Sequence, residues 1–110
     1  MVVFVNNIIF SISSEGFLFV IDKISGSIIR ITDIYNQFSK RKRNKIKPTG
    51  FLLDINKIYV STSNGRLLIV DIASGKTISI LKIDNEKISR PYIHNRNLFL
   101  IKDNAIIKLN

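Results

Sequence analysis

The sequence predicts an all-β fold of repeated, four-stranded antiparallel units. Three observations predict it: a strand-turn-strand pattern that recurs, Gly and Asn punctuation at nearly regular intervals, and short connections everywhere but one. The clearest copy runs from Ser63 to Ile83, SNGRLLIVDIASGKTISILKI. Leu67 to Asp71 is an apolar run closed by a carboxylate, Ser74-Gly75 makes the turn, and the β-branched Thr77, Ile78 and Ile80 follow. Such runs bounded by small polar residues are strand chemistry. An earlier copy lies at Glu15 to Ile34, EGFLFVIDKISGSIIRITDI.

Composition bounds the reading without deciding it. A chain of 110 residues, 45% apolar, can fill one core and not two. It holds 22 Ile, 11 Asn and 11 Lys but only 2 Ala; that joint excess also follows from an AT-rich coding sequence, so pattern outweighs composition. There is no Cys, which excludes disulfides and thiolate metal sites. The opening MVVFVNNIIFSI lacks a basic leader and a small-residue cleavage site and is interrupted by Asn6-Asn7. It is expected to be a strand rather than a signal peptide. No run reaches the roughly 18 apolar residues of a membrane span.

In chain order, Val2 to Ser13 reads as one or two strands broken at Asn6-Asn7, residues that tolerate tight-turn backbone. Ser14-Glu15-Gly16 is a turn, Phe17 to Asp22 a strand, Ser25-Gly26 a turn, and Ser27 to Ile34 a strand. Residues 35–49 break the rhythm as a basic insertion ending at Pro48-Thr49-Gly50. Strands are then expected at Phe51 to Leu53 and Ile58 to Thr62, separated by the turn Asp54 to Lys57, before Ser63-Asn64-Gly65 leads into the hairpin above. Tyr92-Ile93, Leu98 to Lys102 and Ala105 to Leu109 close the chain, with turns at His94 to Asn97 and at Asp103-Asn104.

The copies align. With a shift of 49, Asn7 to Ile34 matches Asn56 to Ile83 at ten of 28 positions without a gap, including Gly16 with Gly65, Asp22 with Asp71 and Gly26 with Gly75. With a shift of 40, Ile58-Tyr59-Val60 falls on Leu98-Phe99-Leu100 and Leu67 on Ile107, so a third copy begins. A unit of about 40 residues carrying four short strands is a β-propeller blade, which buries its faces only by stacking on neighbours. The expected architecture is a partial β-propeller of about two and a half repeats, over residues 1–34, 50–83 and 90–110, with a truncated first blade, one full blade and a partial last one. Gly16, Asp22, Gly26, Gly65, Asp71 and Gly75 are expected to be structural: the carboxylates hydrogen-bond the turns, and glycine supplies their backbone.

VIDKISGSII and VDIASGKTIS, each preceded by a Gly-bearing turn, with KIYVSTSNG before the second, resemble the repeats of pyrroloquinoline-quinone-type propellers, in which Leu-Tyr-Ala-Leu-Asp leads into Thr-Gly-Lys. That family commonly places a Trp eight residues after the Asp, packing blade on blade; here those positions hold Arg30 and Ser79. Aliphatic residues are therefore expected to dock the blades. Trp-Asp and kelch-type repeats lack their markers in this chain. Within the resemblance, quinoprotein dehydrogenases use a Trp floor, a vicinal Cys pair and calcium, none of which can be matched here. The BamB-type outer-membrane assembly scaffolds, non-catalytic propellers of the same repeat, are the more similar branch.

The only concentrated chemistry is Lys40, Arg41, Lys42, Arg43, Lys45 and Lys47, six cations within eight residues that supply most of the net charge of +9. They could contact phosphates of nucleic acid or lipid headgroups, or bind a partner, against the simpler expectation of a solvated loop. Tyr35 and Phe38 precede the cluster instead of interleaving with it, which disfavours base stacking. His94, the single His, has no partner for metal or base chemistry in the sequence, and no Gly-x-Ser-x-Gly elbow exists. Tyr59 and Phe99 align with Phe10 and are expected to be strand packing. Asp22, Asp71 and Asp103 could ligate calcium in principle, but each sits at a turn. The expected function is a non-catalytic scaffold for protein partners, with BamB-like envelope assembly in the periplasm as its specific form and no cofactor. The alternatives are part of a quinone-dependent dehydrogenase, or a binder of anionic membrane or nucleic acid through the basic segment. Further blades of a longer chain, or other copies, are expected to cover the open faces.

Overall fold

The computed structural model describes residues 2–102 and 105–109. Three antiparallel sheets follow one another along the chain. The first is β1 (Val2–Val5), β2 (Ile8–Ile12), β3 (Phe17–Asp22) and β4 (Ile28–Asp33), in that spatial order. A one-turn helix, α1 (Lys40–Arg43), separates it from the second sheet of β5 (Pro48–Asp54), β6 (Lys57–Thr62), β7 (Arg66–Asp71) and β8 (Thr77–Lys82), again in sequential order. The third sheet holds β9 (Tyr92–His94), β10 (Asn97–Lys102) and β11 (Ala105–Lys108). These are meandering blades of a β-propeller. Among the described residues no helix is long and apolar enough to cross a membrane.

The turn chemistry read from the sequence is present. In the first sheet the Asp22 carboxylate accepts from the Ile24 N–H at 3.0 Å; in the second, Asp71 accepts from the Ser74 N–H at 3.0 Å and its hydroxyl at 2.8 Å. These bonds to Ser74 hold the Asp71 carboxyl below its usual range. The Gly26 and Gly75 N–H groups each close the turn onto the preceding Asp carbonyl at 2.8 Å, with φ of +75° and +73°. Asn6 at φ +54°, and Asn95 and Arg96 at +49° and +62°, make the tight turns before β2 and β10.

Four expectations change. The first blade is not truncated, because Val2–Val5 supplies its fourth strand. β5 begins at Pro48, three residues early; a register irregularity between Pro48 and Gly50 admits the proline at this edge strand. In the third sheet Leu100 pairs with Ile107, whereas Val60 pairs with Leu68, so Ile107 is the counterpart of Leu68 and not of Leu67. The intervening connection is one residue shorter; its expected turn, Asp103-Asn104, lies outside the described residues.

The fourth concerns docking. The main core joins the facing sides of the first two sheets: Phe10, Ile12, Leu18 and Val20 pack with Phe51, Ile58, Val60, Leu68 and Val70. Aliphatic packing is there, but it is not alone. Arg30, at the position where Trp was missing, reaches from β4 across the interface; its guanidinium donates to the Ala73 carbonyl at 2.9 Å and to the Ile72 carbonyl. A planar fork on two consecutive carbonyls does with hydrogen bonds what an indole does by contact area.

Candidate functional site

The basic insertion is built into the core before it displays any charge. At the end of β4 the Asp33 carboxylate accepts from the Tyr35 N–H at 3.0 Å, and the Ile34 N–H donates to the Gly16 carbonyl at 3.0 Å. Ile34, Tyr35 and Ile46 are buried. The Tyr35 ring lies against Gly16, where a Cβ would stand 2.2 Å from it, which is why the turn needs glycine there. Burial raises the Tyr35 phenol well above its ordinary range. The Thr77 hydroxyl donates to the Ile34 carbonyl at 3.0 Å, and the Gln37 amide to the Thr77 carbonyl at 2.9 Å, so the segment is tied to the second sheet as well. Its far end is fixed by Ser63, whose N–H donates to the Lys47 carbonyl at 2.8 Å and whose hydroxyl accepts from the Lys47 N–H at 2.9 Å.

Between these anchors Ser39 caps α1, its hydroxyl accepting from the Lys42 N–H at 3.3 Å. The six cations are not equivalent. Arg43 is half-buried: it grips Asp33 through two bonds of 2.8 and 2.6 Å and lies 5.7 Å from the centre of the Phe17 ring. Lys40, Arg41, Lys42, Lys45 and Lys47 are exposed. A solvated loop is therefore only half of the description; Arg43 is a structural member and the other five are displayed.

Phe38 corrects the reading of the aromatics. Its ring meets Tyr35 edge-on at 5.5 Å and lines two grooves, one on each side of α1. The larger, about 490 Å³, is walled by Glu15, Phe17, Phe38, Lys40, Arg43 and Lys47. The smaller, about 280 Å³, is walled by Phe38, Lys42, Lys45, Ile46 and Arg66. Cations and an aromatic face interleave in space although they do not in sequence. Hydrogen bonds from its own backbone N–H and from Ser13 hold the Glu15 carboxyl below its usual range, so one anion stands at the rim of the larger groove.

The other residues singled out do not join this site. Asp22, Gly26, Asp71 and Gly75 serve turns of two different sheets, while Gly65 packs on the Asp84 carbonyl. His94 is exposed at the end of β9. Among the described residues no group of three or more His, Cys, Asp or Glu side chains converges to hold a metal ion. The Asp33–Arg43 pair and the position of Phe38 were missed, and the signal for the first was the lone acid ten residues before Arg43.

The Asp33–Arg43 pair predicts a pH dependence. The Arg43 hydrogen bonds, reinforced by the Tyr35 N–H, depress the Asp33 pKa below its ordinary value of 3.8. A depressed carboxyl stabilises the fold above the unfolded-state value and loses that contribution as pH falls through the folded-state value. Both side chains keep solvent contact, at 21% and 33% exposure, so screening holds the contribution to about 1 kcal/mol or less. Arg43→Ala is expected to be less stable than the parent chain near neutral pH, with the difference narrowing as pH falls through the depressed Asp33 pKa; urea melts across pH measure it.

The fold defines the class: stacked antiparallel blades of a β-propeller, two of four strands and one of three among the described residues. No family model matches the sequence, and no curated protein does. Solved structures match at low identity. BamB from Moraxella catarrhalis superposes with a TM-score of 0.69 over 97% of this chain at 13% identity. The Cps50 (Swd1) β-propeller domain from Myceliophteria thermophila gives 0.70 over 88% at 16% identity. Quinohemoprotein alcohol dehydrogenase from Comamonas testosteroni gives 0.67 over 91% at 22% identity. The chain spans 30%, 32% and 16% of the lengths of these three proteins.

Proposed function

We propose that this chain is a non-catalytic protein-binding module that takes an acidic, aromatic-bearing segment of a partner on the basic insertion. The observation that carries it is Phe38 standing between two grooves whose rims hold Lys40, Lys42, Lys45 and Lys47. Its backbone is fixed at both ends and through the core, so a bound segment orders little of the receptor, which favours affinity. Cations at the rim steer an acidic partner, and the ring supplies the apolar contact.

The finer form of this reading is a BamB-like scaffold for outer-membrane protein assembly in the cell envelope. It draws on the repeat resemblance and on the likeness of fold to BamB. Titration of the chain with an acidic peptide containing Phe or Trp, beside a neutral peptide of the same length, tests the site. The acidic peptide is expected to bind, more weakly as salt rises, and a Lys40→Glu, Lys42→Glu, Lys45→Glu variant to lose at least tenfold in affinity. Equal binding by parent and variant overturns the reading, and retention on heparin or anionic vesicles without peptide binding transfers the site to anionic surfaces. The likeness to a quinohemoprotein dehydrogenase keeps a second reading, and an absorbance titration with quinone and calcium that changes nothing sets it aside.

A further inference from the structure

The 49-residue repeat relates the first two sheets side chain by side chain and reveals an asymmetry between them. In the second sheet Leu53, Ile58 and Val70 lie opposite one another across the strands, as do Val60, Leu68 and Ile80. This face packs on the first sheet, and Ile58, Leu68 and Val70 are fully buried. The repeat places Phe4, Ile9 and Ile21, and beside them Ser11, Phe19 and Ile31, in the same register on the first sheet. That face turns away from the second sheet, and there Phe4 is 61% and Ile31 53% exposed. The turns agree. A Cβ on Gly75 would meet Thr32 of the neighbouring sheet at 2.7 Å, whereas at its counterpart Gly26 nothing lies within 4 Å.

The opposite end carries the matching half. Phe10 belongs to the core between the first and second sheets, and its counterpart Tyr59 lines the cleft between the second and third with Ile93 and Leu98. The next counterpart, Phe99, stacks on Tyr92 with ring centroids 5.8 Å apart. It lies on the side of β10 opposite Leu98 and Leu100, together with Ile101 and the exposed Ile106.

We propose that these two faces dock on each other in successive copies of the chain, head to tail. The occupant follows from the repeat: the first sheet's open face is a second copy of a surface already buried inside the molecule, and the third sheet presents the aromatic that covers such a surface at the two internal interfaces. The contact is heterologous, so it closes into a ring or continues as a chain of copies. Each copy carries a charge of +9, so repulsion opposes the apolar contact and association strengthens as salt screens it. This is opposite in sign to the salt dependence of an acidic peptide on the basic insertion, and the two fail independently.

Sedimentation velocity of the full chain tests the proposal. The expected result is a mass of two or more copies that rises with protein concentration and with salt. Phe4→Glu on one face and Ile106→Glu on the other are each expected to give a monomer. An equimolar mixture of the two variants then recovers a mass of two copies and no more, because one intact pair of faces remains. Ile55→Glu, at a turn where Ile55 is 92% exposed, leaves association unchanged. Circular dichroism checks the fold, and Val2→Lys replaces Phe4→Glu if the latter unfolds. A parent chain that stays monomeric at all concentrations overturns the proposal. So does a single-face variant that still associates, or a mixture that stays monomeric.

Discussion

Tyr35→Ala is expected to lower the unfolding free energy by about 3–5 kcal/mol, the range for emptying a large aromatic site in a packed core. Tyr35 is fully buried, its ring fills the space above Gly16, and Ile34 beside it carries the hydrogen bond from Thr77. The site cannot collapse easily, because both flanking sheets hold its walls. Tyr35→Phe separates ring from hydroxyl. The phenol oxygen is buried with no hydrogen-bond partner among the described residues, so removing it is expected to be neutral or to stabilise by up to about 1 kcal/mol. Urea unfolding of the two variants checks both; a damaging Tyr35→Phe means that the hydroxyl has a partner.

The second large effect is expected at Gly65. With φ at +77°, an alanine there meets the left-handed penalty of about 1–2 kcal/mol. Its Cβ would also stand 2.2 Å from the Asp84 carbonyl oxygen and 2.5 Å from that of Glu86, both backbone atoms. The same carbonyls cannot swing aside cheaply, since the Ile83 and Asp84 N–H groups both donate to Gly65 at 2.9 and 3.1 Å. Gly65→Ala is therefore expected to cost more than about 3 kcal/mol. Gly26→Ala is the control: nearly the same φ, nothing within 4 Å, and only the backbone penalty of about 1–2 kcal/mol. Thermal melts of the two variants should differ by at least about 4 °C, because about 1 kcal/mol shifts the midpoint of a domain this size by roughly 4–8 °C. Equal melts would mean that the strap 83–86 does not press on Gly65.

These contrasts also show what the sequence could and could not disclose. The Asp22 and Asp71 turns were legible because an Asp accepts from N–H groups two or three residues ahead, a bond contained within one short motif. The blades were legible because a hairpin is local and was written twice. Arg30 was not, since its carbonyl partners lie 42 and 43 residues away, and an Arg in place of a Trp reads as a loss until the facing turn is seen. The basic cluster was visible as charge, but neither Phe38 between its grooves nor Arg43 turned inward could be read from spacing. Both depend on the direction in which α1 leaves the core.

The insertion between the blades has a bearing on how the chain folds. Each sheet is made of adjacent hairpins, contacts that close short loops and form quickly. The bonds that join the first sheet to the second span some 40 residues: Gln37 to Thr77, Thr77 to Ile34, Arg30 to Ala73. Stacked repeats are coupled only through the interface they share, here the apolar core and these bonds together. With them, the first sheet cannot detach until Ile34 and Tyr35 leave the core. The inserted segment thus acts as a latch between two quick-forming halves, turning local hairpins into one cooperative transition, and native-state hydrogen exchange would record it as a shared opening energy for β3 and β7.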